Sequence, residues 1–196
     1  EKARAESADL VVFAELAISG YPPRDFLEFD DFIRRCMRQL EIISSYCIDI
    51  AAIIGGPSRN RNFRGKRLYN SAYFLHEGKI KDIYHKSLLP TYDVFDEYRY
   101  FEPHDEPHVV SFNGERIALT ICEDLWDTGD MPLYVHSPME KLIEQSPDLI
   151  INIAASPYHL GQQQTREDVL TTNAKKYKLP LLYVNHVGAQ TELLFD

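Results

Sequence analysis

The sequence has few cysteines, no long hydrophobic run and a deficit of positive charge. Only three of its 196 residues are cysteine, too few and too widely spaced for a disulfide framework, so we predict a reducing, cytoplasmic location. No apolar run approaches the roughly 18 residues needed to span a membrane, and no signal-peptide pattern is present. Lys and Arg number 21 against 30 Asp and Glu, and the net charge of −9 argues against nucleic acid or an anionic membrane as the main binding partner.

The composition is that of an ordinary folded domain. Hydrophobic residues make up 44% and charged residues 26% of the chain, and its length is enough for one domain with a substantial core. The chain begins without Met, in a charged segment next to an apolar run, and it stops just after another apolar run. We therefore expect residues 1–196 to form a single, partial domain of a larger protein.

Short apolar runs alternate with helical patterns, which favours a layered α/β fold with helices outside and mixed sheets inside. Buried strands are predicted at residues 9–14, 48–54, 148–153 and 181–184. The second of these is expected to end at Gly55-Gly56-Pro57. Helices are predicted at residues 30–47 and 162–178, and at 138–145 after a capping Ser137. Hairpins are predicted around Glu77-Gly78 and Asn113-Gly114.

Four chemically active side chains lie where a predicted strand gives way to a loop. They are Glu15, Lys86, Cys122 and Ser156. Because the carboxyl ends of strands gather at one place in α/β sheets, these residues could converge on one site. Cys122 would then be a nucleophile and Glu15 the base that accepts its proton. Lys86 would lower the pKa of the thiol and stabilise a tetrahedral oxyanion.

The two acids after Cys122 receive separate predictions. The backbone N–H of Glu123 is a natural second donor to the oxyanion, and Asp124 is expected to brace the turn. From these residues alone, a purely structural role for a buried Cys122 stays open.

The other cysteines and the paired histidines give no second site. Cys36 and Cys47 lie on the apolar stripe of the helix at 30–47, so they are predicted to be core residues. His104 and His108 are four residues apart, but neighbouring prolines disfavour a helix there. No metal site is predicted.

Three segments together resemble a known family. They are Phe13-Ala14-Glu15-Leu16, Tyr84-His85-Lys86-Ser87-Leu88-Leu89-Pro90 and Ile121-Cys122-Glu123-Asp124. In this order they resemble the signature segments of the nitrilase, or carbon–nitrogen hydrolase, superfamily. The resemblance implies a Glu15–Lys86–Cys122 triad on a four-layer α-β-β-α sandwich with mixed sheets, incomplete at both ends of this chain. Ala14 stands where the family more usually has Pro.

A narrower resemblance concerns the substrate. Ile18-Ser19-Gly20-Tyr21-Pro22-Pro23-Arg24-Asp25 and residues 86–97 and 154–161 are similar to the glutaminase domains of glutamine-dependent NAD synthetases. This likeness implies that Glu97 is an additional active-site carboxylate that orients Lys86 or assists the acid–base steps. The implied substrate-binding residues are Tyr92, Ser156, Gln162, Tyr21 and Phe95.

One position departs from that pattern. The family often has Lys or Arg at the place of Gln162, where a positive charge suits the carboxylate of the substrate. Arg166 is the candidate substitute in this chain.

The implied function is hydrolysis of the glutamine side-chain amide through a thioester on Cys122. In the enzymes resembled, the ammonia released then amidates nicotinic acid adenine dinucleotide in a C-terminal synthetase domain. We expect that domain, with its ATP and Mg, to be absent from these residues, and we expect no cofactor or metal in this one. Glutamine, the synthetase domain and further copies of the same chain are the expected partners.

Two other functions stay open. One is a stand-alone nitrilase-type amidase that acts on a different amide and has no ATP-dependent domain. The other is a catalytically silent module kept for assembly, although the intact triad of Glu15, Lys86 and Cys122 argues against it.

Overall fold

Two mixed β-sheets form the centre of the fold. The computed structural model describes residues 1–62, 64–128 and 133–196. After a short helix, α1 (Lys2–Ala5), the first sheet contains β1 (Leu10–Val12), β2 (Ala51–Arg59), β3 (Leu68–His76) and β4 (Lys79–His85) in that spatial order. β1 is parallel to β2, and the other neighbours are antiparallel.

The second sheet follows in the C-terminal half of the chain. It contains β5 (Val110–Phe112), β6 (Glu115–Ile121), β7 (Leu149–Ile153) and β8 (Leu181–Val184), again in spatial order. β5 and β6 are antiparallel, whereas β6, β7 and β8 are parallel.

The inner faces of the two sheets share one hydrophobic core. Ile53 and Phe74 of the first sheet lie in the same buried cluster as Leu119, Ile121 and Ile151 of the second. Strands buried on both faces are expected to be apolar at consecutive positions rather than at alternate ones. This explains the unbroken apolar runs in the sequence.

Helices cover the outer face of each sheet. α2 (Asp30–Ser45) places Leu40 against Tyr73 on the first sheet. α3 (Pro138–Ile143) and α4 (Gln162–Tyr177) lie on the second sheet, where Leu142 packs with Ile150. The four layers of the expected α-β-β-α sandwich are therefore confirmed.

Both predicted hairpins are confirmed with the turn chemistry that the sequence indicates. Glu77 and Gly78 have φ of 51° and 72°, and Asn113 and Gly114 have φ of 51° and 87°. Positive φ at both central residues is characteristic of the type I′ turn, which Asn-Gly favours.

The predicted end of the second strand is wrong. β2 continues through Gly55-Gly56-Pro57, and these residues pair with Ala72, Ser71 and Asn70 of β3. Glycine is needed at position 55 because the turn after β1 crosses β2 there: a Cβ would lie 2.3 Å from the backbone nitrogen of Leu16. Pro57 is tolerated because it lies beyond the end of β1, where that side of β2 has no partner strand in the described part of the chain.

Two smaller features also differ from the sequence-based expectation. α3 begins at Pro138 after Ser137 as predicted, but the Ser137 side chain makes no capping hydrogen bond. A separate antiparallel hairpin of β9 (Gly188–Gln190) and β10 (Leu193–Phe195) was not predicted. Among the helices described, none is both long and apolar enough to cross a membrane.

Candidate active site

The strand-end residues predicted from the sequence meet at one place between the two sheets. Glu15 follows β1, Lys86 directly follows β4, and Cys122 directly follows β6. Lys86 contacts the carboxylate of Glu15, and the charges of both residues shift the pKa of the Cys122 thiol. Ser156, which follows β7, lines the same cavity as Cys122.

The ammonium of Lys86 lies between two buried carboxylates. Its Nζ is 2.7 Å from Oε1 of Glu15, and 2.8 and 2.9 Å from Oε1 and Oε2 of Glu97. The side chains of Lys86 and Glu15 are 0% exposed, and that of Glu97 is 5% exposed. The predicted contact between Glu97 and Lys86 is therefore present.

This arrangement places one positive charge against two negative charges in a buried site. Burial alone would lower the pKa of Lys86, but the charges of Glu15 and Glu97 outweigh it and raise that pKa well above its ordinary value. Burial, together with the charge of Glu15, raises the pKa of Glu97. These pKa shifts favour the charged form of Lys86 and the protonated form of Glu97.

Cys122 stands on a tight turn directly after β6. Its φ of 42° is in the left-handed region, and the 3-10 turn of Cys122–Leu125 starts at this residue. Burial raises the pKa of the thiol well above its ordinary value, and the charge of Glu15 adds to that effect, while Lys86 acts in the opposite direction. The raised pKa favours the protonated thiol, so Cys122 would need a base in order to act as a nucleophile.

The carboxylate of Glu15 is held by three hydrogen bonds. Its Oε1 accepts hydrogen bonds from Lys86 and Asn70, and its Oε2 accepts one from the backbone N–H of Ala155 at 2.9 Å. Since each carboxylate oxygen can accept two hydrogen bonds, Oε2 keeps one free acceptor site for a proton.

Asp124 ties the turn of the nucleophile to the segment of the lysine. Its Oδ1 accepts hydrogen bonds from the backbone N–H groups of Ser87 and Leu88 at 3.0 and 2.9 Å. Its Oδ2 accepts the backbone N–H of Ile121 at 3.0 Å. The predicted bracing role of Asp124 is confirmed.

A cavity of about 150 Å³ opens beside Cys122. The residues around it are Tyr92, Asp93, Phe95, Cys122, Glu123, Trp126, Ser156, Pro157, His159 and Gln162. The carboxylate of Glu123 lies in this lining and accepts hydrogen bonds from the hydroxyls of Tyr92 and Tyr134, the shortest at 2.8 Å. Sequence reasoning gave Glu123 only a backbone role, and that role stays a prediction.

Four of the five substrate-binding candidates line this cavity, and Tyr21 does not. The hydroxyl of Tyr21 donates to Oε1 of Glu97 at 2.9 Å, and its ring packs edge-on against Phe95. Tyr21 thus contacts the Glu97 carboxylate and lies outside the lining of the cavity beside Cys122. Direct binding of substrate by Tyr21 stays a prediction.

Two uncharged side chains of the cavity lining, those of Ser156 and Gln162, are hydrogen-bonded to each other. Nε2 of Gln162 donates to the hydroxyl of Ser156 at 3.2 Å. Arg166 lies one turn further along α4, outside the cavity lining, and pairs with Asp196 at 2.8 Å. A role for Arg166 as the substitute cation for the substrate carboxylate would require this pair to open.

Sequence reasoning missed two residues that hold the triad. Asn70 on β3 donates to both Glu15 and Glu97. His186 donates from Nε2 to the backbone carbonyl of Glu15 at 2.7 Å. A polar Asn inside the buried run of Leu68–His76 was a usable signal for the first, whereas nothing local marks His186.

The residues predicted to lie outside the site do so. Cys36 and Cys47 are buried in the core, and burial raises the pKa of each thiol. Within residues 1–62, 64–128 and 133–196, no group of three or more His, Cys, Asp or Glu is arranged to hold a metal ion.

Comparison with known sequences matches this chain to one family. The carbon–nitrogen hydrolase model matches residues 1–195. The glutamine-dependent NAD(+) synthetase of Synechocystis sp. is 39% identical over 202 residues, which span 100% of this chain and 36% of that protein. The enzyme of the same name from Aquifex aeolicus is 34% identical over 194 residues, 98% of this chain and 32% of that protein. The chain thus spans about a third of the length of these relatives.

Comparison with solved structures gives the same fold. Glutamine-dependent NAD+ synthetase from Acinetobacter baumannii superposes with a TM-score of 0.87 at 32% identity, covering 100% of this chain and 35% of that one. An amidase from Nesterenkonia sp. superposes with a TM-score of 0.79 at 21% identity, covering 100% of this chain and 69% of the amidase. At that identity the second match establishes the fold alone.

Proposed function

The chain belongs to the carbon–nitrogen hydrolase family, and from this premise we propose that it hydrolyses the side-chain amide of glutamine. The observation that carries the proposal is the buried Glu15–Lys86–Glu97 cluster beside Cys122, because these groups supply a base, an oxyanion donor and a nucleophile at one point. Glutamine as the amide donor is supported by the names of the relatives, which are glutamine-dependent NAD(+) synthetases.

In the first half of the reaction, an acyl group is transferred to Cys122. Glu15 takes the thiol proton as sulfur attacks the amide carbon. The two events occur together because the thiol has a high pKa. The oxyanion that forms receives hydrogen bonds from Lys86 and from the backbone N–H of Glu123. Glu15 then returns the proton to the leaving nitrogen, the C–N bond breaks, and ammonia departs to leave a thioester.

In the second half, water replaces ammonia. Glu15 removes a proton from the water that attacks the thioester carbon, and the same oxyanion donors act again. Collapse of the intermediate breaks the C–S bond, and the thiolate takes back the proton held by Glu15. One glutamine and one water thus give one glutamate and one ammonia.

The charges around the cavity suit an amino-acid amide. Glu123 presents a partly buried carboxylate to the cavity, which would attract the α-ammonium of glutamine. Ser156 and Gln162 supply hydroxyl and amide groups for the α-carboxylate. A simple aliphatic amide would leave the Glu123 carboxylate without its cation, so this observation favours glutamine over the substrates of a stand-alone amidase.

The whole protein is proposed to be a glutamine-dependent NAD synthetase of the cytoplasm. This chain would supply ammonia to an ATP- and Mg-dependent synthetase domain that amidates nicotinic acid adenine dinucleotide, and it would itself need no cofactor. The proposal is supported by relatives of that name that are about three times as long. Assembly into a homo-oligomer is part of the proposal and is checked by light scattering of the purified protein.

Covalent labelling tests the nucleophile and the substrate together. We expect the glutamine analogue diazo-oxo-norleucine to add one adduct to Cys122, seen by mass spectrometry of the intact protein, and glutamine to protect against it. Glutamate release should be abolished in Cys122→Ser and retained in Cys36→Ser and Cys47→Ser.

Two results would contradict this proposal. Adducts on Cys36 or Cys47 without one on Cys122 would show that the nucleophile is misassigned. Hydrolysis of acetamide or propionamide in preference to glutamine would favour the stand-alone amidase, and an unreactive Cys122 would favour the silent assembly module.

A further inference from the structure

One side-chain amide joins the two carboxylates of the site. Nδ2 of Asn70 donates to Oε1 of Glu15 at 2.7 Å and to Oε2 of Glu97 at 3.2 Å. The residue lies inside β3 and is 1% exposed. Because the amide nitrogen carries two hydrogens, each carboxylate can receive one of them.

The surroundings fix the orientation of this amide. Rotating the Asn70 amide by half a turn would place its oxygen against two carboxylate oxygens, so that acceptors would face acceptors. In the observed orientation Oδ1 is buried and has no hydrogen-bond partner in the described part of the chain. An unsatisfied buried acceptor is unfavourable, so the two bonds to the carboxylates outweigh the loss at Oδ1.

The backbone of the same residue positions the cation. The carbonyl of Asn70 accepts the backbone N–H of Lys86 at 2.8 Å. One residue therefore contacts Glu15, Lys86 and Glu97, which come from three different parts of the chain.

The titratable groups around the Asn70 amide are Glu15 after β1, Lys86 after β4, Glu97 in the segment between β4 and β5, Cys122 after β6 and the Tyr21 hydroxyl. A single ammonium faces two carboxylates. A neutral donor shared by both carboxylates favours their ionised forms without neutralising either of them. This matters because Glu15 must be ionised to accept the proton of Cys122.

We infer that Asn70 is a positioning residue that holds Glu15 and Glu97 around Lys86 and keeps the pair ionised for deprotonation of Cys122. The inference rests on the proposed function for its place in glutamine hydrolysis. Its physical content, the ionisation of the carboxylate pair, can be measured without any substrate.

The test is the pH dependence of Cys122 alkylation by iodoacetamide in Asn70→Leu and Asn70→Asp. Iodoacetamide needs no substrate site, and the alkylated cysteine is identified by mass spectrometry. Without the shared donor the carboxylates hold a proton more tightly. The acid limb, which is the part of the pH profile where the alkylation rate falls toward low pH, should therefore move up by about one pH unit in Asn70→Leu. At a fixed pH on that limb, the alkylation should be roughly tenfold slower. A third carboxylate in Asn70→Asp should move it further.

Asn173→Leu is the matched control. Asn173 is a buried amide on α4 whose Nδ2 donates to two backbone carbonyls, of Leu125 and Val169, both at 2.9 Å. Its loss should lower stability and leave the acid limb in place. If the limb is unchanged in the Asn70 variants, or moves equally in Asn173→Leu, the inference is overturned.

Variants that do not fold, and a protein that does not hydrolyse glutamine, also give interpretable outcomes. Asn70→Ser, which opens space instead of filling it, repeats the test if the leucine variant does not fold. Failure of all the Asn70 variants to fold, with Asn173→Leu folded, would give Asn70 a purely structural role and overturn the inference. A shifted acid limb in a protein that does not hydrolyse glutamine would support the positioning role while rejecting the proposed substrate.

Discussion

The ammonium of Lys86 is solvated by protein groups alone. Its side chain is fully buried, and the carboxylates of Glu15 and Glu97 replace the water that such a charge needs. Removing one member of a buried charged cluster leaves the others uncompensated, which is far more destabilising than losing a surface ion pair. We therefore expect Lys86 to contribute to stability, in addition to its proposed role in catalysis.

Lys86→Met is expected to lower the free energy of unfolding at neutral pH by about 3–5 kcal/mol, measured by urea denaturation. The loss should shrink as the pH falls. A carboxyl group whose pKa is raised in the folded state, as burial and Glu15 raise that of Glu97, makes the folded state bind more protons, so stability increases toward acid pH. In Lys86→Met, which lacks the ammonium, this increase of stability toward acid pH should be larger.

Lys81→Met is the matched control for that measurement. Lys81 lies on the same strand, β4, and pairs with Glu77 at the surface. Its removal should change stability by less than about 1 kcal/mol. Two results would contradict the stabilising role of the Lys86 ammonium. One is an equal loss of unfolding free energy in the two variants, and the other is a loss in Lys86→Met that grows toward acid pH.

Among the elements, the contact between the turn after β1 and the middle of β2 determines the position of Glu15, the proposed base. The backbone of residues 14–16 crosses directly over Gly55, so close that no side-chain atom fits between them. The next residue, Gly56, faces Ile18, Leu40 and Tyr73 at 3.5 Å, which is ordinary van der Waals contact. Two adjacent glycines thus have different roles.

Gly55→Ala is expected to displace the turn that carries Glu15. A shift of about 1 Å in a catalytic group can lower the rate by about 100-fold, so kcat for glutamine hydrolysis should fall by that order. Gly56→Ala is the control and should retain most of the activity, because its Cβ meets no atom closer than 3.5 Å. Similar activity in the two variants would show that the crossing does not position Glu15.

For the molecule as a whole, the proposed division of labour separates ammonia production from ammonia use. This chain covers about a third of the length of its synthetase relatives and contains the complete Glu15, Lys86 and Cys122 cluster. A second active site elsewhere in the full protein would need only the ammonia. The two activities should therefore be separable by mutation.

In the full-length protein, Cys122→Ala should abolish NAD formation from glutamine, by at least about 1,000-fold, because the nucleophile is lost. NAD formation from ammonium chloride, with ATP and Mg, should stay close to that of the parent protein. The measurement is NAD production with each nitrogen source. Loss of both activities together, or no NAD from either source in the parent protein, would contradict the proposed partnership.

The sequence alone indicated most of the strands and helices and the residues proposed as the triad, although it missed the true end of β2 and the β9–β10 hairpin. Hairpins with Glu77-Gly78 and Asn113-Gly114 depend on local turn chemistry, and doubly buried strands are recognisable from unbroken apolar runs. Glu15, Lys86 and Cys122 could be proposed as a triad because each lies at a strand end within a contiguous motif.

Only the tertiary structure decided how that triad is supported. Asn70 meets Glu15 across 55 residues of sequence and Ala155 meets it across 140, and no local pattern predicts such pairs. β2 passes through Gly55-Gly56-Pro57 because β3 offers a complete row of partners, which overrides the usual tendency of Gly and Pro to end a strand. Local propensity fixes which residues can form an element, whereas burial and hydrogen bonding between distant residues fix which of them reach the site.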